Sequence, residues 1–274
     1  AALRPIESVI CAQTGHINCH EAASIENTGH KILELSGVDG KLSAQQIEAC
    51  ASEYFSDGEP EHLTVPKMVY ISFPTELGTL YSLEELKEIR RVCDKYGMYL
   101  FVDGARMGYG LGSEANDVSL RDFGQLADVF YLGGTKCGAL FGEAVVLLAD
   151  SLKHRFKTYM KQNGAVLAKG WLLGLQFYAL LENGEYFKIT ARADKLAMRL
   201  KEAFAEKGIP SAVDSPTNQQ FVILTPLQEE KLAEKYIFEG MGTLEDGRKK
   251  VRFCTSWSTT EDEIDALIAD IQVL

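Results

Sequence analysis

The chain has 274 residues, 46% of them hydrophobic and 24% charged, with a formal charge of −11. That size suits a soluble globular protein with one large core, or one large and one smaller, and the negative balance supplies no basic field for a phosphate backbone or an anionic membrane. Nucleic acid and membrane are not expected partners, no apolar run approaches the roughly 18 residues of a membrane span, and six scattered cysteines without a CxxC pair point to reduced thiols and a cytoplasmic setting.

The opening residues, AALRPIES, read as the tail of a helix feeding a core strand, SVICAQ at 8–13. Further apolar runs of strand length follow at HKILEL (30–35), Val69–Phe73, Tyr99–Asp103, Val129–Leu132 and Ala144–Leu148. Between them lie helices with legible starts, Ser43 with Gln46 and Ser82 with Glu85, both at capping-box spacing. In the second helix Leu83, Leu86, Ile89, Val92 and Cys93 fall largely on one face, and Gly97 is placed to end it. Strand alternating with helix predicts an α/β fold, a mainly parallel sheet flanked by helices. Past about residue 155 the pattern changes. Helical stretches over Val166–Leu181 and Glu185–Lys207 lead to strands at Phe221–Leu224 and Val251–Cys254, then to a last helix capped by Thr260 and Glu263. The predicted organisation is a large domain over 1–155 and a smaller C-terminal α/β domain over 156–274.

Ligands of open parallel sheets bind beyond the carboxyl ends of the strands. Three polar clusters fall there: CAQTGHINCHE with His16, LFVDGAR with Asp103 and Arg106, and YLGGTK with Thr135 and Lys136. Each residue alone has a bland reading, as a turn residue, a surface histidine, a salt-bridge partner or a solvated lysine. Together they suit pyridoxal phosphate. A partly desolvated lysine can bond covalently to its aldehyde, an acid such as Asp103 can hold its ring nitrogen protonated, the flat imidazole of His16 can stack on the ring, and Thr135 can donate to its phosphate. Rival readings are weaker. GGTKCG lacks the GxxxxGK[ST] spacing of a phosphate loop, GYGLGS lacks the third glycine of GxGxxG, and His16 with His20 does not complete the HExxH order of a zinc site, so no metal is expected.

The runs FVDGARMGYGL, YLGGTKCGALFGEAVVL, TGHINCHEAASIENTGHK and VRFCTSWSTTEDEIDALI carry a family resemblance. Over essentially its whole length the chain resembles the threonine aldolase and β-eliminating lyase family of pyridoxal 5'-phosphate enzymes, whose fold is the aspartate-aminotransferase type (fold type I). The resemblance implies Lys136 as the lysine that holds the cofactor, Asp103 on its ring nitrogen, Arg106 close to it and His16 stacked on it. It implies Arg252 as the group that binds the carboxylate of a small amino-acid substrate, a task that suits the planar guanidinium fork. It also implies a homo-oligomer, dimer or tetramer, because the family's site is built between subunits.

There are two departures from the family. Its members carry a further N-terminal segment with a phosphate-binding loop, so the large domain is expected to be N-terminally incomplete. In FPTELGT, Glu76 stands where the aldolases have a histidine that handles the substrate hydroxyl. The expected reaction is aldolase-like cleavage of a β-hydroxy-α-amino acid to glycine and an aldehyde, with Glu76 as base. Two alternatives stay open: β-elimination to pyruvate and ammonia, with Lys136 taking the Cα proton, and a non-catalytic truncated homologue acting as a binding protein.

Overall fold

The computed structural model describes all 274 residues and contains two sheets. The first is built from β1 (Glu7–Ala12), β2 (Ile32–Leu35), β3 (Val65–Ser72), β4 (Tyr99–Asp103), β5 (Val129–Gly133) and β6 (Glu143–Leu147), in the order β2-β1-β3-β4-β5-β6. Every neighbouring pair is parallel except β5 and β6. β1 is buried at every position, which explains the unbroken apolar run Val9–Ala12 in it: helices cover both faces of a parallel sheet. Its one carboxylate, Glu7, is buried but paired. Arg4 donates to it from Nε at 2.9 Å and from its backbone N–H at 2.7 Å. The opening residues are therefore not the helix tail that the sequence suggests; they form no regular element, and Arg4 folds back to neutralise the strand's first residue.

The helices Ala44–Ser56 and Leu83–Tyr96 begin at the predicted capping boxes, and Gly97, at φ +64°, closes the second in the left-handed conformation that glycine tolerates. Leu86, Ile89, Val92 and Cys93 face the sheet as expected and join Ile10, Val69 and Leu100 in the main core. Each such side chain stabilises the fold by roughly 1.5–3 kcal/mol relative to leaving it exposed.

The second sheet is antiparallel: β7 (Ser211–Val213), β8 (Gln219–Leu224), β9 (Glu239–Thr243) and β10 (Lys249–Cys254), in the order β7-β8-β10-β9. The helices Glu185–Glu206 and Glu261–Gln272 cover it, with Leu196, Leu200, Val222, Val251 and Ile264 in its core. β8 and β10 stand where the apolar runs predict strands. β9, sequence EGMGT, is exposed at every position and carries no apolar pattern to read. The helix expected from Val166 starts only at Trp171: Ala165–Leu167 form no regular element and Ala168–Gly170 form a turn. Phe177 and Leu181 of that helix pack on the first core, so the chain returns to the large sheet before the helix Glu185–Glu206 departs for the second.

The glycines of GYGLG have a packing reason. They lie in the helix Met107–Gly112, which crosses the helix Glu185–Glu206. A Cβ at Gly112 would stand 2.9 Å from the Ala191 Cα, and one at Gly108 would stand 2.7 Å from Thr190 Cγ2. No helix is long and apolar enough to cross a membrane.

Candidate active site

The carboxyl ends of β1, β3, β4 and β5 open onto one cleft of about 210 Å³, which His16, Glu76, Asp103, Arg106 and Lys136 all line. Thr135 and Arg252 are not among its walls. Two acids that the sequence does not single out join them, Glu21 and Glu143. β6 runs against β5, pairing Gly133 with Glu143, so the first residue of β6 stands at the rim where β5 ends.

Lys136 sits in a single 3-10 turn, Thr135–Cys137, directly after β5. The two glycines before it let the chain pass through a crowded gap: a Cβ would meet the Ala105 carbonyl oxygen at 2.2 Å from Gly133, and the Gly142 carbonyl oxygen at 2.2 Å from Gly134. Tyr186 of the long helix donates to the Gly133 carbonyl at 2.9 Å, and Tyr109 donates to the carbonyl of Lys136 itself. Lost hydration and the neighbouring Arg106 push the Lys136 ammonium below the usual lysine range, with Asp103 and Glu143 opposing. The neutral amine is accordingly more accessible than on a solvated lysine. Thr135 is exposed, and its hydroxyl makes no hydrogen bond within the chain.

Asp103 ends β4. Its Oδ1 accepts from the Ala105 N–H at 2.9 Å and from the Tyr131 hydroxyl, and its Oδ2 accepts from the Tyr70 hydroxyl. The Arg106 guanidinium lines the cleft and makes no hydrogen bond or ion pair within the chain, which leaves its fork available to an anion. Glu76 accepts at Oε1 from the His16 N–H at 2.9 Å and from Ser72 Oγ at 2.5 Å. Burial raises its pKa, the bonds from Ser72 and His16 pull it back, and Asp103 adds to the rise. Glu143 accepts from the Gly134 N–H at 2.8 Å; burial raises its pKa, against that bond and the charge of Lys136.

His16 opens a short helix after β1, and its Nδ1 donates to Glu21 Oε1 at 2.5 Å, which fixes the proton on that nitrogen. Arg252 lies on β10. Its fork donates to Gln219 Oε1 at 3.0 Å and to Glu239 Oε2, and its charge is among those that lower the Lys136 pKa.

A family model for beta-eliminating lyases matches residues 1–226. The chain belongs to that family. This family member is 30% identical over 277 residues to the low specificity L-threonine aldolase of Pseudomonas sp. (strain NCIMB 10558), an alignment that covers 97% of this chain and 76% of that one. It superposes on the structure of Leishmania major threonine aldolase with a TM-score of 0.96 at 42% identity, over 99% of this chain and 78% of that one. Cystalysin from Treponema denticola, whose structure contains pyridoxal 5'-phosphate, shares the fold at 17% identity, with a TM-score of 0.67 over 99% of this chain and 72% of that one. The fold of this lyase family member is thus of the aspartate-aminotransferase type.

Proposed function

We propose that the chain is a pyridoxal-phosphate-dependent lyase that cleaves a β-hydroxy-α-amino acid to glycine and an aldehyde, as threonine aldolases do. The observation that carries this reading is the convergence of Lys136, Asp103 and Arg106 on one cleft. These side chains fit the cofactor: an amine of lowered pKa for its aldehyde, a carboxylate for its ring nitrogen, and an uncommitted guanidinium for an anionic group. When bound, it supplies an electron sink for the pair left on Cα as a bond there breaks.

The chain's own residues divide the remaining work. Asp103 holds a proton on the ring nitrogen, and His16, tied to Glu21, offers a flat ring at the cleft wall. Thr135 stands one residue from Lys136 and is assigned to the phosphate on that proximity alone. Glu76 takes the proton of the substrate hydroxyl as Cα–Cβ opens, with its carboxylate held by Ser72 and the His16 N–H. Arg252 is assigned to the substrate carboxylate; the family resemblance supports this, and Gln219 and Glu239 hold its fork in the second unit. A second reading, β-elimination, is favoured by the lowered pKa of Lys136, since a neutral amine there can take the Cα proton.

Incubating the cofactor-loaded protein with L-threonine and quantifying products tests both readings. Glycine with acetaldehyde supports the first, ammonia released without glycine supports the second, and absence of all of them overturns both.

Three further assignments belong to this reading. The division into a large unit over 1–155 and a small one over 156–274 is supported by the end of the first sheet at Leu147 and opposed by Phe177 and Leu181, which pack on the first core. Trp171, Leu172, Leu175 and Tyr178 stand exposed beside Leu140 and Phe141, an apolar face suited to a second copy in a homodimer or tetramer. The six cysteines are free, which supports a cytoplasmic setting.

A further inference from the structure

Asp103 lies at the end of an aromatic row that crosses three strands. Tyr70 of β3 stands opposite Phe101 of β4, and Phe101 stands opposite Val129 of β5, two residues before Tyr131. Phe101 and Asp103, two apart on one strand, share a face. The rings pack accordingly: Tyr70 stacks on Phe101 at 5.4 Å, and Tyr131 meets Phe101 edge-on at 6.3 Å. Phenylalanine would fill either tyrosine position as well. The hydroxyls are the part that packing does not require, and both end on the carboxylate of Asp103, one on each oxygen.

We propose that Tyr70 and Tyr131 are positioning residues that hold the Asp103 carboxylate in one orientation, aimed into the cleft, and so set how firmly this chain retains a proton on the ring nitrogen of bound pyridoxal phosphate. A carboxylate offers about four lone-pair directions. Tyr70, Tyr131 and the Ala105 N–H take up three, and the one left matches the single N–H of a protonated pyridine ring. Both tyrosines stay donors at all working pH, because burial first and the charge of Asp103 second push their pKa values far above the usual tyrosine range. Two donors, one on each oxygen, fix the plane of the Asp103 carboxylate at the cleft wall. Lys136, Glu76 and Glu143 act on the same carboxylate across the cleft, with Arg106, His16 and Glu21 on its walls. All six are unchanged when a tyrosine becomes phenylalanine, so the difference between variant and parent isolates the hydroxyls.

The inference rests on the assignment of Asp103 to the ring nitrogen. The test loads the full chain and its Tyr70→Phe, Tyr131→Phe and doubly substituted variants with pyridoxal phosphate, then titrates each towards acid while following the visible absorption band. Without a donor the carboxylate is freer to turn from the ring nitrogen and the pair between them weakens, so acid should abolish the band at a higher pH, by on the order of one pH unit in the double variant and by less in each single one. A midpoint unmoved in the double variant, whatever happens to its melting temperature, reduces the tyrosines to packing and overturns the inference while the cofactor reading stands. If the parent gains no band that Lys136→Ala abolishes, the cofactor reading falls and takes this one with it.

Discussion

Lys136 meets Arg106 across a partly dehydrated cleft and so gives up its proton more readily than a lysine in water. Lys136→Ala should abolish borohydride-stable attachment of pyridoxal phosphate, read as loss of the added mass on the intact protein; a retained adduct would move the assignment to another lysine. Glu76→Gln should slow aldehyde release from threonine by about 10²–10⁴-fold, and a rate within a few-fold of the parent would remove Glu76 as the base. Its pKa is raised by burial, so its basic form appears only above the pH at which a free carboxylate ionises. The acid limb of kcat should therefore lie above the ordinary carboxylate range and disappear in Glu76→Gln. At this scale the sequence was informative about which residues reach the cleft wherever one ends or follows a parallel strand, as His16, Glu76, Asp103, Arg106 and Lys136 do. Glu143 was not legible, because it opens an antiparallel strand, and nothing local states the direction in which β6 runs.

Helix starts were legible for a local reason. A capping box satisfies two orphan N–H groups with side chains three residues apart, so Ser43 with Gln46, Ser82 with Glu85 and Thr260 with Glu263 need no distant partner. The segment 165–181 misled because its apolar content is high on every side, while Gly164 and Gly170 delay the helix to Trp171. GYGLG shows the opposite limit: its glycines are explained only by residues far off in the chain, Gly108 and Gly112 by the helix that crosses them and Gly110 by Phe73 and Pro74. Gly112→Ala would drive a methyl group against the Ala191 backbone and should destabilise the protein by roughly 1–3 kcal/mol in denaturant unfolding. An unchanged midpoint would mean that the two helices separate without cost.

The two sheets meet along the helix Glu185–Glu206, and Asp194 of that helix is buried with both oxygens unpartnered. Burial pushes its carboxyl up to about 9 from 3.8. The folded protein thus keeps a proton that the unfolded chain releases, so this group's contribution is full below about pH 4 and is lost as pH rises towards about 9. Asp194→Asn removes that dependence and should gain stability relative to the parent as pH rises through this window, measured by denaturant midpoints; parallel curves would place the titration elsewhere. The apolar face at Trp171 and Leu175 predicts assembly on the same scale. Trp171→Glu with Leu175→Glu should lower the mass seen by sedimentation to that of one chain, and an unaltered mass would remove this face from the interface.

The sequence by itself determined the α/β alternation, the helix caps and the residues carried to the strand ends, because each depends on spacing within one element or on the turn that follows it. It also held the family motifs around Asp103 and Lys136, which are contiguous runs. Tertiary structure alone decided that Glu143 reaches the rim, that Tyr70 and Tyr131 converge on Asp103, and that Arg252 is held by Gln219 and Glu239 on neighbouring strands. Those facts depend on strand order and direction, which are set by packing between residues far apart in the chain and leave no pattern at any single position.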